Sequence, residues 1–134
     1  MPVEQHETLP VRTSDDVVRA RQAVRTHAIS AGFSLVNQTK IVTAASEIAR
    51  NTVDYGGGGT LRIEILRDGQ RKGVRLIFTD QGPGIADIAL AMSDGFTTGR
   101  GLGLGLSGAK RLCEEFAITS SPGQGTEVTL ARWK

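Results

Sequence analysis

Val74-Arg75-Leu76-Ile77-Phe78-Thr79 runs without a break into Asp80-Gln81-Gly82-Pro83-Gly84. The first six residues alternate with period two, which reads as a strand. The next five put a carboxylate at the strand's C-terminal end and follow it with glycines that let the backbone turn sharply. An aspartate placed there can accept a hydrogen bond from an exocyclic amine such as that of adenine. The same residues also make an ordinary β-turn, and this stretch alone does not choose between the two.

Working upstream, Thr60-Leu61-Arg62-Ile63-Glu64-Ile65 alternates in the same way, and Asp68-Gly69 with Gly73 brackets a polar turn. The two strands are expected to pair as an antiparallel hairpin. Arg62, Glu64 and Arg75 fall on alternate positions and are expected to leave one sheet face wet, as in a sheet covered by helices on one side only. Before them, a helix is expected from about Val36 to Asp54, with Ile41, Ala44, Ala45, Ile48 and Thr52 on one face and Tyr55 with Gly56 to Gly59 ending it. An earlier helix starts at Thr13, Ser14, Asp15 and Asp16, which supply cap oxygens and negative charge. It carries Val17, Ala20, Val24 and Ala28 at helical spacing and stops at Gly32. Residues 3 to 9 alternate weakly and suit an edge strand.

Downstream the chain turns glycine-rich. Of its 17 glycines, eight lie between Gly82 and Gly108, interleaved with Ile85, Ile88, Leu90, Met92, Phe96, Leu102, Leu104 and Leu106. A linker would carry Ser and Pro instead, so these glycines mark backbone that approaches something closely while staying packed. A short helix is expected near Asp87 to Met92, and a longer one from about Leu104 to Phe116, with Cys113 on its buried side. Ala117 to Ser121 then reads as a strand, Pro122-Gly123-Gln124-Gly125 as a turn, and Thr126 to Trp133 as a last strand with Val128 and Leu130 inward. The whole is expected to be α+β, a two-layer α/β sandwich in one domain over residues 1–134, with a mostly antiparallel mixed sheet and helices on one face.

Composition narrows the function. With 134 residues, 39% of them hydrophobic, the chain is long enough for one core without disulfides or a structural metal. A net charge of +2 is too small to force a nucleic-acid or membrane reading, and 4% aromatic residues leave no base-stacking platform. One cysteine excludes an internal disulfide, and His6 and His27 are single and unpaired, so no metal cluster is expected. There is neither a signal-peptide pattern at Met1 to His6 nor a run approaching the ~18 apolar residues of a membrane helix, which points to a soluble, cytoplasmic protein.

Three places can carry chemistry. Glu47 and Asn51 are four apart on one side of the second helix, bordering its apolar face, where a carboxylate and an amide can serve as general base and metal or water ligand, although the pair alone reads more readily as a solvated Glu with an exposed Asn. Asp80 with Gly82 and Gly84 is the second. Gly99-Arg100-Gly101-Leu102-Gly103-Leu104-Gly105-Leu106, opening a helix, is the third: glycines before a helix N-terminus free N–H groups to face phosphate oxygens. Thr97, Thr98 and Arg100 are further candidate phosphate donors. Gly103 to Gly108 spells G-x-G-x-x-G, but Asp94 to Arg100 before it is no strand, so the dinucleotide fingerprint is rejected. The Walker A pattern lacks its Gly-Lys-Ser/Thr, and the H-R-D and D-F-G elements of eukaryotic-type kinases are absent.

Taken in order, Glu47-x-x-x-Asn51, Asp80-x-Gly82-x-Gly84, Gly101-x-Gly103-x-Gly105 and Gly123-x-Gly125-Thr126 resemble the GHKL (Bergerat) ATP-binding fold shared by gyrase, Hsp90, histidine kinases and MutL. Length favours relatives that are little more than the ATP domain, the anti-sigma-factor serine/threonine kinases. Ala45-Ser46-Glu47-Ile48-Ala49-Arg50-Asn51 with Tyr55, and Asp80 to Ile85 with Asp94-Gly95-Phe96, look most like the RsbT-type switch kinases. These phosphorylate a Ser or Thr on STAS-domain antagonist proteins in bacterial partner-switching and stress-signalling modules.

The resemblance implies roles. Asn51 would ligate Mg²⁺ on the triphosphate of ATP, and Glu47 would act as base toward the attacking hydroxyl of the protein substrate. Asp80 would accept the adenine amine, with Thr126 nearby. Gly82 and Gly84 would shape the nucleotide pocket, while Gly101, Gly103 and Gly105 with the amides of Leu104 and Leu106 would cradle phosphates. A PP2C-type phosphatase or a sigma factor are the other partners implied. An anti-sigma factor acting by holding a sigma factor is the alternative from another class. Cys113 and Trp133 are expected to be structural, Trp133 anchoring the C-terminus, and Arg19, Arg21 and Arg25 to form a wet helix face.

Overall fold

The computed structural model describes residues 2–84 and 104–134. The short helix expected near Asp87 to Met92 lies outside the described residues. In chain order the elements are β1 (Val3–Val11), α1 (Ser14–Ser30), α2 (Leu35–Asp54), β2 (Gly59–Asp68), β3 (Arg71–Asp80), α3 (Leu104–Arg111), β4 (Glu115–Ser120) and β5 (Thr126–Trp133). The strands form one sheet in the order β1-β2-β3-β5-β4, and every described pairing is antiparallel. The α+β sandwich is therefore observed, with an antiparallel sheet rather than a mixed one among these residues.

Local chemistry explains the helix limits. Thr13 caps α1 by accepting from the Asp16 N–H at 3.2 Å, and the Asp16 carboxylate takes the N–H groups of Arg12 at 3.0 Å and Thr13 at 3.3 Å. This reciprocal box satisfies donors that a helix start leaves unpaired. The Arg12 N–H, with those of Thr13 and the Arg19 guanidinium, holds the Asp16 carboxyl below its usual range against the opposing effect of desolvation. Ser34 caps α2 by accepting from the Asn37 N–H, and the Asn51 carbonyl closes its end by accepting from Tyr55 and Gly56. Gly57 and Gly58, at φ +71° and +101°, then lead the chain into β2.

The core lies between the sheet and the helices. Leu61, Ile63, Ile65, Val74, Leu76, Phe78, Val128 and Leu130 point inward, against Val17, Ala20, Val24 and Ala28 of α1 and Ile41, Ala44, Ala45 and Ile48 of α2. Those helix residues are the ones that period 3.6 picks out. The β2–β3 turn is tighter than expected: Asp68 pairs with Arg71, and Gly69 at φ +64° takes the first position of a two-residue loop. Gly73 therefore belongs to β3. It stands opposite Trp133 on the outer face, where an added Cβ would lie 2.7 Å from the indole ring.

Two expectations are corrected. The third helix ends at Arg111, not near Phe116, and Phe116 lies in β4 opposite Leu130. Leu112 and Cys113 donate to the carbonyls three residues back, which tightens and ends the helix. The period-two alternation of half-buried Phe116, Ile118 and Ser120 then pairs with β5 and overrides the helical spacing. Cys113 thus sits just past α3. Its burial pushes the thiol up to about 11, as suits a packing residue.

The second correction concerns Glu64, which is buried on a face expected to be wet. Its two oxygens accept from Arg62 Nε at 2.8 Å and Arg75 Nε at 2.6 Å, so three charges that alternate in sequence close into one cluster. The half-exposed guanidinium stems cover the carboxylate. Trp133 anchors the C-terminus as expected, with its ring N–H on Glu115 at 3.0 Å and its backbone N–H on Glu114 at 2.9 Å. On α1, Arg19 and Arg21 are exposed and Arg25 is half-buried. His27 pairs with Glu7 at 2.9 Å.

Candidate active site

The antiparallel registers align one residue from every strand across one end of the sheet. Val11 faces Gly59, Gly59 faces Asp80, Asp80 faces Thr126, and Thr126 faces Ser120. Directly opposed residues point to the same face, here the one covered by the helices. Asp80 and Thr126, 46 positions apart in sequence, are therefore neighbours on the floor of the site.

The second wall is the last turns of α2, which hold half-buried Glu47 and Asn51. The glycine run that ends α2 brings this wall to the floor. A Cβ on Gly56 would overlap the Asp80 carboxylate, and one on Gly82 would lie 2.7 Å from the Gly56 Cα. Similarly, a Cβ on Gly84, at φ +77°, would overlap the Ser121 carbonyl, and one on Gly125, at φ +79°, the Asp80 carbonyl. Gly82 and Gly84 shape the site by letting four backbone segments meet around Asp80. Gly56, Gly59, Gly125 and Ser120 belong to the same construction and were not among the candidate residues. The signals for the glycines were present in the four-glycine run and in the Gly-x-Gly-Thr before β5, whereas no motif marked Ser120.

Hydrogen bonding leaves Asp80 half engaged. Its Oδ1 accepts from the Gly82 N–H at 2.9 Å, which fixes the carboxylate, while Oδ2 has no hydrogen-bond partner among the described residues. Thr126 Oγ1 is 2.8 Å from Ser120 Oγ, whose proton goes to the Gly125 carbonyl at 2.9 Å. Glu47 has Arg50 beside it, at 4.0 Å, on the same helix.

The third wall is only partly described. Gly101 and Gly103 lie outside the described residues, as do Thr97, Thr98 and Arg100. Leu104 and Gly105 form the first turn of α3, and Leu106 is buried in the core. A helix thus does start where the alternate glycines end, and it packs against α2.

The donor set fits an adenine nucleotide with a hard cation. A free carboxylate oxygen beside a hydroxyl suits an exocyclic amine. An amide oxygen and a carboxylate on one helix side are oxygen ligands of the kind Mg²⁺ takes together with phosphates. Among the described residues no cluster of three or more His, Cys, Asp or Glu forms a metal site of its own. No helix among them is long and apolar enough to cross a membrane.

Comparison with known proteins agrees with this geometry. The profile of the family described as "Histidine kinase-, DNA gyrase B-, and HSP90-like ATPase" matches residues 36–134. The chain is 48% identical over 123 residues to the serine/threonine-protein kinase RsbT of Bacillus subtilis, covering 92% of each chain. It is 29% identical over 120 residues to an anti-sigma F factor of Thermoanaerobacter, covering 85% of this chain and 82% of that one. A crystal structure of RsbU and RsbW domains from Mycobacterium tuberculosis superposes with a TM-score of 0.66 at 24% identity, covering 98% of this chain and 32% of that one, which bears on the fold. The chain belongs to the histidine kinase-, DNA gyrase B- and HSP90-like ATPases. Within that class it is an RsbT-type protein serine/threonine kinase.

Proposed function

We propose that this kinase transfers a phosphoryl group from Mg·ATP to a Ser or Thr of a STAS-domain antagonist protein in the cytoplasm, and changes partners as that substrate is modified. The observation that carries the reading is the register pair Asp80–Thr126, with one Asp80 oxygen open, on the floor beneath the turns of α2 that hold Glu47 and Asn51. Asp80 Oδ2 accepts the exocyclic amine of the base. Asn51 supplies an oxygen ligand to Mg²⁺, which when bound neutralises charge on the phosphates. Glu47 takes the proton of the substrate hydroxyl, a role that typically contributes ~10²–10⁴ in rate. The amides of Leu104 and Leu106, at the start of α3, hold phosphate oxygens together with Gly101, Gly103 and Gly105. Phosphoryl transfer asks mainly for positioning and charge neutralisation, so this short set suffices.

The test is intact mass spectrometry after incubation with Mg·ATP and each STAS protein encoded by the same genome. A phosphoryl gain on one of them is expected, absent with Glu47→Ala although ATP still binds, and absent with Asn51→Ala because Mg·ATP binding is lost. Transfer undiminished by Glu47→Ala would remove Glu47 as the base.

The similarity to an anti-sigma F factor favours a second reading, in which the chain acts mainly by holding a sigma factor. Copurification with a sigma factor, with no phosphoryl gain on any STAS protein, would replace the first reading by this one. A PP2C-type phosphatase is the further partner proposed for the switch. Complex formation with it, released by the unphosphorylated STAS protein, is the expected result.

A further inference from the structure

Arg132 lies six positions along β5 from Thr126, so it stands ~20 Å from the floor of the site, at the opposite end of the sheet. Its register partner is Val74 of the inner face, which directs the guanidinium toward the helices. Nε and Nη2 both donate to the Asn37 side-chain oxygen, at 3.2 and 2.8 Å, in the first turn of α2. Nη1 donates to the Leu112 carbonyl at 2.9 Å, one residue past the end of α3. One planar fork thus bridges two helices at the first turn of one and the last turn of the other. Their opposite ends build the site: the last turns of α2 hold Glu47 and Asn51, and the first turn of α3 holds Leu104 and Gly105.

With eight residues, α3 is too short to be stable without tertiary contacts. Three of the eight are Gly105, Gly108 and Ala109, and a Cβ on Gly108 would meet nothing within 4 Å. Buried Leu106 and Ala109 hold the helix to the core, but apolar contact is non-directional and leaves its position along α2 weakly defined. Hydrogen bonds are directional. The Glu114 N–H, on the Ala131 carbonyl at 3.0 Å, ties the chain beyond α3 to β5, and Arg132 adds the tie to α2.

We propose that Arg132 is a positioning residue for the nucleotide phosphates: by clamping α2 and α3 through Asn37 and Leu112, it sets how the amides opening α3 face the Glu47–Asn51 wall. The inference rests on the reading of α3 as a phosphate cradle. Misplacing an orienting group by about 1 Å can cost about 100-fold, whereas a base held on the sheet at Asp80 does not depend on where α3 sits.

The test is isothermal titration with Mg·ATP, and with adenosine through its competition against ATP. Arg132→Ala is expected to weaken Mg·ATP about tenfold or more and adenosine less than about twofold. Asn37→Ala cuts only the α2 side of the clamp and should show the same selective loss, which keeps the test readable if Arg132→Ala does not fold. Asn37→Asp retains an acceptor oxygen and should bind both ligands within about twofold of wild type.

A merely structural role would weaken both ligands together, so equal losses would overturn the proposal. So would Mg·ATP affinity unchanged in both alanine variants, or a selective loss in Arg132→Ala that Asn37→Ala does not share. In each of these cases the wild-type preference for Mg·ATP over adenosine stands and Arg132 alone is struck. Wild-type protein that binds Mg·ATP no more tightly than adenosine would overturn the phosphate-cradle reading, and the proposal with it.

Discussion

Gly56 lies directly against the carboxylate of Asp80, so close that a single methyl group on Gly56 would overlap it. The glycine that follows α2 therefore sets how near the Glu47–Asn51 wall comes to the floor of the site. Gly56→Ala is expected to push the two apart, lowering ATP affinity about tenfold or more while costing about 1–3 kcal/mol of stability. Nucleotide titration alongside urea denaturation checks both. Gly108→Ala is the contrast: its added Cβ meets nothing within 4 Å inside α3, so it should stabilise the fold by about 0.5–1 kcal/mol.

Glu64 is expected to contribute stability that depends on pH. Burial alone pushes its carboxyl up, but the hydrogen bonds from Arg62 and Arg75 outweigh this and hold it below the usual glutamate range. A carboxyl lowered on folding stabilises the native state in full above its unfolded value, and that contribution is lost as pH falls through its folded value. Glu64→Gln should therefore cost about 1–2 kcal/mol at neutral pH, a figure reduced because both guanidinium groups are partly exposed. The difference from wild type should persist at about pH 5 and shrink below about pH 4. Denaturation midpoints of the two proteins across that range give the comparison; a gap that widens toward acid would contradict it.

Trp133 is the chain's one tryptophan, and it lies over Gly73. Gly73→Ala would place a Cβ 2.7 Å from the ring, so the indole must move and give up its bond to Glu115 and its position beneath Arg71, whose Cζ is 5.4 Å from the ring centre. A red-shifted emission maximum and a loss of about 1–3 kcal/mol are expected. Emission that stays where it was would mean the ring is not held there.

Arg132 ties three elements together. Its Nη2 bonds the Asn37 side-chain oxygen at 2.8 Å in the first turn of α2, and its Nη1 bonds the Leu112 carbonyl at 2.9 Å just beyond α3. Arg132→Ala should cost about 2 kcal/mol, from the loss of bonds donated by a charged group. Arg132→Lys should recover only part of it, since a point charge does not bridge two acceptors as a planar fork does. Full recovery by lysine in thermal denaturation would show that charge alone matters at this position.

Much of the fold was legible because local patterns and tertiary packing agree. The faces of α1 and α2, the β2–β3 hairpin and the inward positions of β5 follow from periodicity, and each is found buried where expected. Legibility failed where a local pattern has two uses. Leu106, Ala109 and Cys113 continue a helical spacing past the point where the chain turns to pair with β5. Arg62, Glu64 and Arg75 read as solvated positions until the sheet brings the three together. Within the site, the family resemblance placed Thr126 near Asp80, and the glycine motifs contained Gly56 and Gly125, but that these two glycines touch Asp80 and that Ser120 lies beside Thr126 depends on neighbours across the fold.

The sequence by itself determined the class of fold and the buried faces of α1, α2, β2, β3 and β5, since these depend on residue type and on spacing within single helices and strands, while the family resemblance supplied Glu47, Asn51, Asp80 and Thr126 as the candidate site residues. Only the tertiary structure decided which of those residues face one another: that Asp80 stands opposite Thr126, and that Gly56, just after α2, touches Asp80. Such contacts join residues tens of positions apart. They are fixed by strand register and by the close approach of backbones, which no local pattern encodes.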